Sequence, residues 1–243
     1  LFATDNELWI GTESGAYIYN LRTGKYTHLR SSEYDPYSLS DNAIYSFCKD
    51  REDGIWIGSY FGGVNYYPRS YTHFEKYYPK GEENSLHGKR VREFCRDNYG
   101  VLWIGTEDGG LNRFNLNTKE FSFFAPSAGF TNIHGLCLVD DKLWVGTFSK
   151  GLKIIDTRTG TVLKTYQKNS SPRSLIDNSI FAICRTATGD IYLGTMFGLV
   201  KYNKQSDDFD RIPELNGKFV YDIKEDSGGN IWLATYANGA YCY

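Results

Sequence analysis

Several features are scarce or missing in this sequence. It has one methionine and six prolines among 243 residues, and no stretch reaches the ~18 consecutive apolar residues of a membrane helix. The first residues show no basic segment followed by an apolar run, so no signal peptide is predicted within the chain. The formal net charge is −2, without a long run of like charge. This argues against a nucleic-acid or anionic-membrane surface, since both need clustered Lys and Arg.

Aromatic residues and glycine are abundant instead. The chain has 20 Tyr, 15 Phe, 5 Trp and 25 Gly, a composition that favours strands joined by tight turns. No segment shows a long run with the i, i+3, i+4, i+7 spacing of an amphipathic helix. The sequence therefore predicts a globular all-β protein.

One short phrase recurs six times and defines an internal repeat. Its form is Leu-Trp-Ile-Gly-Thr, as at 102–106, and its aromatic anchors stand 40 to 48 residues apart. The anchors are Trp9, Trp56, Trp103, Trp144, Tyr192 and Trp232. We expect the anchor aromatic to fill the space between neighbouring sheets, and the Gly two positions later to let the backbones approach closely.

Each repeat is consistent with four short strands. In the second repeat these are predicted at 43–49, 55–59, 64–67 and 73–78, and four strands per ~40–50 residues is the length of a β-propeller blade. We predict one β-propeller segment over 1–243, with about six four-stranded blades, truncated at both ends and part of a six- or seven-bladed propeller. The predicted blades are 1–36, 37–84, 85–126, 127–171, 172–213 and 214–243. A parallel β-solenoid is the structural alternative, but its repeats are usually shorter.

Four of the five cysteines follow the repeat. Cys48, Cys95 and Cys184 lie eight residues before their anchors and Cys137 seven, and Ile223, nine before Trp232, is aligned with them in the last unit. This predicts free thiols acting as small buried hydrophobes, rather than disulfides. The histidines, at 28, 73, 87 and 134, form no metal-binding motif, so surface or packing roles are expected and neither a metal nor a cofactor is predicted.

The turns between the second and third strands, and the links that precede each first strand, are the predicted ligand-binding face. In four of six such turns an aromatic occupies the fourth or fifth position after the anchor. The candidates from the turns are Tyr60, Phe61, Glu107, Asp108, Phe148, Phe197 and Tyr236. Those from matching places in the links are Asn42, Arg90, His134, Asn178 and Lys218. These aromatics either stack on sugars or bases or cap the blade edges, and the polar groups either bind a hydroxyl-rich or anionic ligand or satisfy turn backbone.

The phrases resemble the two-component regulator propeller repeat. They are Ser-Leu-Ser-Asp-Asn-Ala-Ile at 38–44, Asp-Gly-Ile-Trp-Ile-Gly at 53–58, Gly-Gly-Val-Asn-Tyr-Tyr at 62–67 and the segment 99–114. The likeness covers all six units, although Tyr192 and Ala234 depart from the anchor phrase and the fourth and sixth units lack the Ser-Leu link. The family has no fixed ligand motif, so the resemblance assigns no binding residue.

The resemblance implies a periplasmic sensor region of an inner-membrane hybrid histidine kinase. Such a sensor recognises an oligosaccharide or other small ligand, works as a homodimer and signals to a kinase outside this segment. Two alternatives remain open. One is a protein-interaction scaffold, and the other is a glycoside hydrolase or lyase using carboxylates such as Glu13, Glu107 and Asp108.

Overall fold

The structure is a computed structural model that describes residues 1–69, 74–124 and 129–243. Its regular structure is almost entirely β, with 22 short strands in six antiparallel sheets. The other regular element in these ranges is a 3-10 turn at Pro213–Leu215. In each sheet the strands pair in chain order. The predicted all-β propeller fold is confirmed, and each sheet lies within one predicted blade.

The chain separates into two compact units, of which the first comprises residues 1–81. Sheet 1 consists of β1 (Phe2–Ala3), β2 (Glu7–Thr12), β3 (Gly15–Asn20) and β4 (Tyr26–Leu29). Sheet 2 consists of β5 (Ile44–Lys49), β6 (Ile55–Ser59) and β7 (Val64–Tyr67). The two sheets share a core around Trp9, Ile44 and Ile57.

The second unit comprises residues 82–243 and holds four sheets. Sheet 3 consists of β8 (Val91–Arg96), β9 (Val101–Thr106), β10 (Gly110–Asn115) and β11 (Phe121–Phe123). Sheet 4 consists of β12 (Ile133–Val139), β13 (Lys142–Thr147), β14 (Leu152–Asp156) and β15 (Val162–Tyr166). Sheet 5 consists of β16 (Ile180–Arg185), β17 (Ile191–Thr195), β18 (Gly198–Asn203) and β19 (Asp208–Arg211). Sheet 6 consists of β20 (Val220–Glu225), β21 (Ile231–Thr235) and β22 (Gly239–Cys242).

The anchor aromatics pack against the sheet that follows in the chain. The Trp9 ring lies 5.0 Å from that of Tyr67 in sheet 2, and the Trp144 ring lies 4.9 Å from that of Tyr202 in sheet 5. Trp103 is fully buried in a core that it shares with sheet 4, and Tyr192 is buried against sheet 6. The predicted packing role is confirmed for these four anchors.

Two anchors are not buried, so the packing prediction is wrong for them. Trp56 and Trp232 are 44% and 48% exposed. Each belongs to the last sheet of its unit, so no later sheet of the same unit covers its indole. Their ring N–H groups donate to Asp50 and Asp226.

The glycine of the anchor phrase allows a close approach between sheets. A Cβ on Gly105 would lie 2.6 Å from Cγ2 of Ile133, and one on Gly146 would lie 2.7 Å from Cγ2 of Ile180. Both partners are on the first strand of the next sheet. The predicted role of this glycine is confirmed, because no larger residue fits at these distances without displacing the neighbouring strand.

Among the described residues sheet 2 has three strands, without the fourth that the sequence predicts at 73–78. Residues 74–80 have no regular structure, and His73 lies outside the described residues. Pro68 follows β7 directly and cannot donate a ladder hydrogen bond. The segment packs by its side chains instead: Lys76 Nζ lies 3.7 Å above the Tyr37 ring, and the Tyr78 ring is 5.8 Å from it.

All five cysteines are free thiols, but their burial differs from the prediction. Cys95, Cys137 and Cys184 are partly buried and pack against cores shared with the following sheet. Burial raises the pKa of Cys95 to about 11. Cys48 is exposed because it lies in the last sheet of the first unit, and Cys242 is also exposed.

Candidate functional site

The first strand of five sheets carries a β-bulge at the same place. In β8, Val91 pairs with Thr106 and Glu93 with Gly105, which leaves Arg92 without a partner across the ladder. The same shift occurs in sheets 2, 4, 5 and 6. The extra residues, called here the bulge residues, are Tyr45, Arg92, His134, Phe181 and Tyr221. A bulge redirects a side chain away from the regular alternation of the strand, and bulges are common beside binding sites.

A residue from the turn after the second strand is held beside each bulge. Its backbone N–H donates to the carbonyl of the residue before the first strand of the same sheet. This bond recurs in five sheets, at 2.9 to 3.1 Å, with Tyr60, Glu107, Phe148, Met196 and Tyr236 as donors. As a result, the Tyr45 and Tyr60 rings are 5.2 Å apart and those of His134 and Phe148 are 5.7 Å apart. In sheet 3 the pair is ionic, with Arg92 Nη1 lying 3.5 Å from Glu107 Oε1.

In the second unit the four bulge residues form one continuous series of contacts. The His134 ring lies 4.6 Å from that of Phe181, which lies 5.8 Å from that of Tyr221. Arg92 Nη1 donates to the Tyr221 hydroxyl at 2.7 Å, and the guanidinium carbon lies 4.6 Å from the ring centre. Sheets 3 and 6, the first and last of the unit, therefore meet through these two side chains.

Phe219 and Tyr236 extend the series on sheet 6. The Phe219 ring lies 4.3 Å from that of Phe181 and 5.8 Å from that of Tyr236. We call the complete set the bulge cluster. It comprises Arg92, Glu107, His134, Phe148, Phe181, Phe219, Tyr221 and Tyr236.

Buried polar atoms within the cluster lack hydrogen-bond partners among the described residues. Arg92 Nε is one and His134 Nδ1 is another. The other ring nitrogen of His134, Nε2, is 2.6 Å from Asn132 Oδ1 and therefore carries the proton. Burial, with a contribution from Arg92 and against that of Glu107, lowers the pKa of His134 to about 4. The ring is thus neutral near pH 7 and has a free acceptor at Nδ1.

A cavity of about 640 Å³ adjoins the charged end of the cluster. Arg92, Glu107 and Tyr221 line it, together with Arg90, Glu93, Asp222 and Lys224. Burial raises the pKa of Glu93, while Lys224 and Arg92 oppose this effect. The volume of the cavity is within the usual range of small-ligand pockets, and both hydrogen-bond donors and acceptors line its wall.

The first unit has a smaller aromatic group of the same origin. The Tyr60 ring contacts that of Tyr45 at 5.2 Å and that of Phe61 at 4.2 Å. The three side chains are 63%, 56% and 86% exposed for Tyr45, Tyr60 and Phe61. Three exposed rings, with Tyr60 in contact with both others, are the kind of surface on which a sugar ring stacks.

Several predicted ligand-binding residues come together in this arrangement. Glu107, His134, Phe148 and Tyr236 belong to the bulge cluster, and Arg90 lines the adjoining cavity. Tyr60 and Phe61 contact each other in the first unit. Phe197 is half-exposed in the turn between β17 and β18, outside the contacts that join the cluster.

The remaining polar candidates contact neighbouring backbone or side-chain groups of the protein. The Oδ1 atoms of Asn42 and Asn178 accept the backbone N–H of Ser31 and Lys168, at 2.8 and 2.7 Å. Asp108 accepts the N–H groups of Lys89 and Arg90, which lower the pKa of Asp108 against the effect of burial. Lys218 Nζ lies 5.2 Å from the Tyr241 ring centre. These geometries fit the alternative in which such groups stabilise turns.

The register also corrects the sequence alignment of the links. Asn42, Asn178 and Lys218 lie two residues before their first strands, whereas Arg90 lies one before and His134 one after the start of its strand. The prediction that these five residues occupy matching positions is therefore wrong. The links differ in length, so a count from the anchor alone does not align them.

Sequence reasoning missed Tyr45, Arg92, Phe181, Phe219 and Tyr221. A usable signal was present, because an Ile or Val begins five first strands: Ile44, Val91, Ile133, Ile180 and Val220. Aligning on these places Tyr45, Arg92, His134, Phe181 and Tyr221 in one column. Their bulged geometry was not visible, since nothing in the alternation of the strand marks an extra residue.

His28 and His87 have packing partners. The His28 ring stacks on Tyr17 at 3.9 Å, and His87 stacks on Phe123 at 3.7 Å. Within 1–69, 74–124 and 129–243, no group of three or more His, Cys, Asp or Glu side chains is placed to hold a metal ion. In the same ranges no helix has the length and apolar character needed to cross a bilayer.

Comparison with known families supports the repeat assignment. The sequence model described as "Two component regulator propeller" matches residues 38–61, 85–108, 174–197 and 214–237. The chain therefore contains repeats of the two-component regulator propeller type, as the sequence phrases predicted. A search of curated proteins gave no match.

Solved structures share the fold. One, described as the extracellular domain of the hybrid two component system BT3049 from B. thetaiotaomicron, is 24% identical with a TM-score of 0.53, covering 100% of this chain and 33% of its own. A second, the extracellular domain of BT4673 from the same organism, is 18% identical with a TM-score of 0.52, covering 98% and 42%. PorZ from Porphyromonas gingivalis, a surface component of the type-IX secretion system, is 16% identical with a TM-score of 0.56, covering 99% and 39%. This chain thus spans less than half the length of these three.

Proposed function

We propose that this chain is the ligand-recognising propeller of an extracytoplasmic sensor in a hybrid two-component regulator, and that its ligand is an oligosaccharide. The family match and the extracellular domains with the same fold support the sensor assignment. One observation supports the ligand assignment most strongly. Bulges at one position of successive sheets gather aromatic and charged side chains at one place, beside a cavity of about 640 Å³.

Sugar recognition in proteins combines aromatic faces with polar side chains that hydrogen-bond to hydroxyl groups. The second unit offers both, through the rings of Phe148 and Tyr221 and the charged groups of Arg92 and Glu107. The Tyr45, Tyr60 and Phe61 surface supplies further rings. The two surfaces are on different units, so each is tested separately.

The experiment is calorimetric titration of the whole chain with xylo-, manno-, cello- and galacturono-oligosaccharides. At least one series is expected to bind. Phe148→Ala or Tyr60→Ala is then expected to weaken binding about tenfold or more, the loss of one stacked ring, while the thermal midpoint stays close to that of the unchanged chain. The matched control is Tyr26→Ala, an exposed ring on the outer strand of sheet 1. Absence of binding by every series would contradict the ligand assignment.

The sensor proposal also concerns the whole signalling protein, which we propose to be an inner-membrane protein. The propeller would lie in the periplasm as part of a homodimer, and it would act on a histidine kinase outside these residues. Sedimentation of the complete sensor region with and without the bound saccharide tests the homodimer. A monomer under both conditions would remove the dimer from the proposal.

An enzymatic role has less support. Of the carboxylates considered, Glu107 pairs with Arg92 and Asp108 accepts two backbone N–H groups. Glycoside hydrolysis needs two carboxyl groups free to act on either side of the bond. We therefore propose recognition without hydrolysis, and incubation of the chain with the same oligosaccharides is expected to leave their lengths unchanged.

A further inference from the structure

The cavity beside the bulge cluster has an unusual charge composition. Three cations and three carboxylates line it, so its formal charge is zero. They are Arg90, Arg92, Lys224, Glu93, Glu107 and Asp222. Arg92 is largely buried, with 18% of its side chain exposed. Lys224 and Asp222 are more exposed, at 78% and 51%. Removing a charge such as that of Arg92 from water costs free energy, so its place beside a buried aromatic cluster is consistent with a role in recognition.

The charges are arranged in internal contacts. Arg92 pairs with Glu107 at 3.5 Å and Lys224 with Asp222 at 3.4 Å. Arg92 also donates to the Tyr221 hydroxyl at 2.7 Å, which fixes the guanidinium between sheets 3 and 6. A guanidinium has five N–H donors and a carboxylate about four acceptor sites, so both groups keep capacity for a ligand.

Such a wall distinguishes between ligands by charge. A uronate carboxylate drawn to the three cations would also lie near the three carboxylates, and an ammonium group drawn to the carboxylates would also lie near the cations. Attraction and repulsion then largely cancel, so no net attraction offsets the cost of desolvating a ligand charge beside Arg92 and Glu107, which are 18% and 31% exposed. A neutral sugar meets neither cost, and its adjacent hydroxyls both donate to carboxylates and accept from guanidinium and ammonium groups.

We infer that this cavity binds a neutral saccharide segment, in preference to an acidic or amino sugar, with Arg92, Glu107 and Asp222 as its hydrogen-bonding partners. The inference rests on the proposed function and specifies its ligand class. The Tyr221 ring forms part of the wall, and the contact between Arg92 and Tyr221 holds the donor in place before the ligand arrives.

The test is calorimetric titration of the whole chain at pH 6.0 with three classes of probe. These are neutral cello-, xylo- and manno-oligosaccharides, acidic oligogalacturonides and cationic chitosan oligosaccharides. A neutral series is expected to bind at least tenfold more tightly than either charged class. Its affinity is expected to change less than about twofold between 50 and 500 mM NaCl, since no net charge is brought into the site.

Two variants place the ligand in the cavity. Glu107→Gln and Arg92→Lys are each expected to weaken neutral binding by about tenfold. The first replaces a charged acceptor with a neutral amide of similar size, and the second keeps the positive charge but loses the planar five-donor fork that contacts Glu107 and Tyr221. The matched control is Arg185→Lys, which alters an Arg–carboxylate pair of the same unit, Arg185–Asp140, at the opposite end of a first strand. Arg185→Lys is expected to leave the affinity unchanged, and thermal melts check that all three variants fold.

The outcomes separate the two proposals. If the oligogalacturonides or chitosan oligosaccharides bind tightly and in a salt-sensitive way while the neutral series does not bind, the inference of a neutral ligand is wrong. The proposal of an oligosaccharide sensor is then retained. Neutral binding that survives Glu107→Gln and Arg92→Lys but is lost in Tyr60→Ala overturns the cavity as the site. If no probe binds to the folded chain, both the ligand assignment and this inference fail.

Discussion

The carboxylate of Asp97 accepts a hydrogen bond from the indole N–H of Trp103 at 2.9 Å, inside the core of the second unit. Its other oxygen accepts the backbone N–H groups of Tyr99 and Val101, at 2.8 and 2.9 Å. One side chain thus closes the turn between β8 and β9 and fixes the indole that packs on sheet 4. Asp50 and Asp226 make the same bonds to Trp56 and Trp232, six residues further on.

Replacing Asp97 removes this support. Asp97→Ala leaves two backbone N–H groups and the indole N–H without an acceptor in a buried turn, and we expect a loss of about 3 kcal/mol in the free energy of unfolding. Urea unfolding measures this loss. Asp226→Ala is the matched control, because it removes the same bonds in an exposed setting where water replaces the carboxylate. Equal losses in the two variants would contradict the role assigned to burial.

The anchors provide a second comparison. Trp103→Ala opens a cavity between sheets 3 and 4, so we expect destabilisation by roughly 3–5 kcal/mol. Trp232→Ala removes an indole that is 48% exposed and is expected to cost much less. Thermal or urea unfolding of both variants tests this. An unchanged midpoint in Trp103→Ala would refute the packing role of the anchor.

The buried His134 predicts a specific dependence of stability on pH. Its pKa is about 4 in the folded chain against 6.5 in the reference state, so the folded form binds this proton less readily than the unfolded form. The stabilisation is complete above pH 6.5 and is lost as the pH falls from 6.5 to 4. The thermal midpoint of the wild type is expected to decrease as the pH is lowered from 6.5 to 4. The midpoint of His134→Phe is expected to decrease less over the same range.

Other groups titrate nearby and require controls. The pKa of Glu93 is raised by burial, so its contribution has the opposite sign, and the same comparison is made in a Glu93→Gln background. Asp208 and Asp226, with pKa values of about 2, lose their contributions only below about pH 4. Parallel curves for the wild type and His134→Phe between pH 6.5 and 4 would eliminate the histidine as the cause.

The cysteines predict an order of chemical reactivity. Five free thiols are expected by mass analysis without reductant, and a mass lower by two hydrogens would indicate a disulfide. Alkylation at pH 8 is expected to modify Cys48 and Cys242 first, because both are exposed. Cys95, whose pKa is about 11, is expected to react most slowly, since the thiolate is the reactive form. Rapid labelling of Cys95 in the folded chain would contradict its burial.

The propeller fold could be predicted from the sequence because each repeat contains the residues that pack one sheet against the next. An aromatic anchor and a glycine two positions later specify how one sheet meets the next, as Trp103 and Gly105 show against sheet 4. The repeat phrase does not show that Trp56 and Trp232 are exposed, since the burial of an anchor depends on whether another sheet of the same unit packs against it. The absent fourth strand of sheet 2 was missed for a related reason. The pattern of residues 73–78 suits a strand, while Pro68 and the contacts with Tyr37 decide otherwise.

The site was only partly predictable. Turn residues such as Glu107 and Phe148 were found because they stand at a fixed distance from the anchor. Arg92 and Tyr221 were not, because their meeting depends on how sheets 3 and 6 are placed within the unit, over a separation of 129 residues. Pairings of this kind follow from tertiary arrangement and leave no trace in local periodicity.

The bulges separate specificity from architecture. Each extra residue stands outside the hydrogen-bond ladder of its sheet, so a substitution there breaks no pairing between strands. Related repeats that keep the anchor and glycine and vary only at the positions of Tyr45, Arg92, His134, Phe181 and Tyr221 would present new surfaces on an unchanged scaffold. Five such positions make this fold suitable for building receptors by substitution at one column of an alignment.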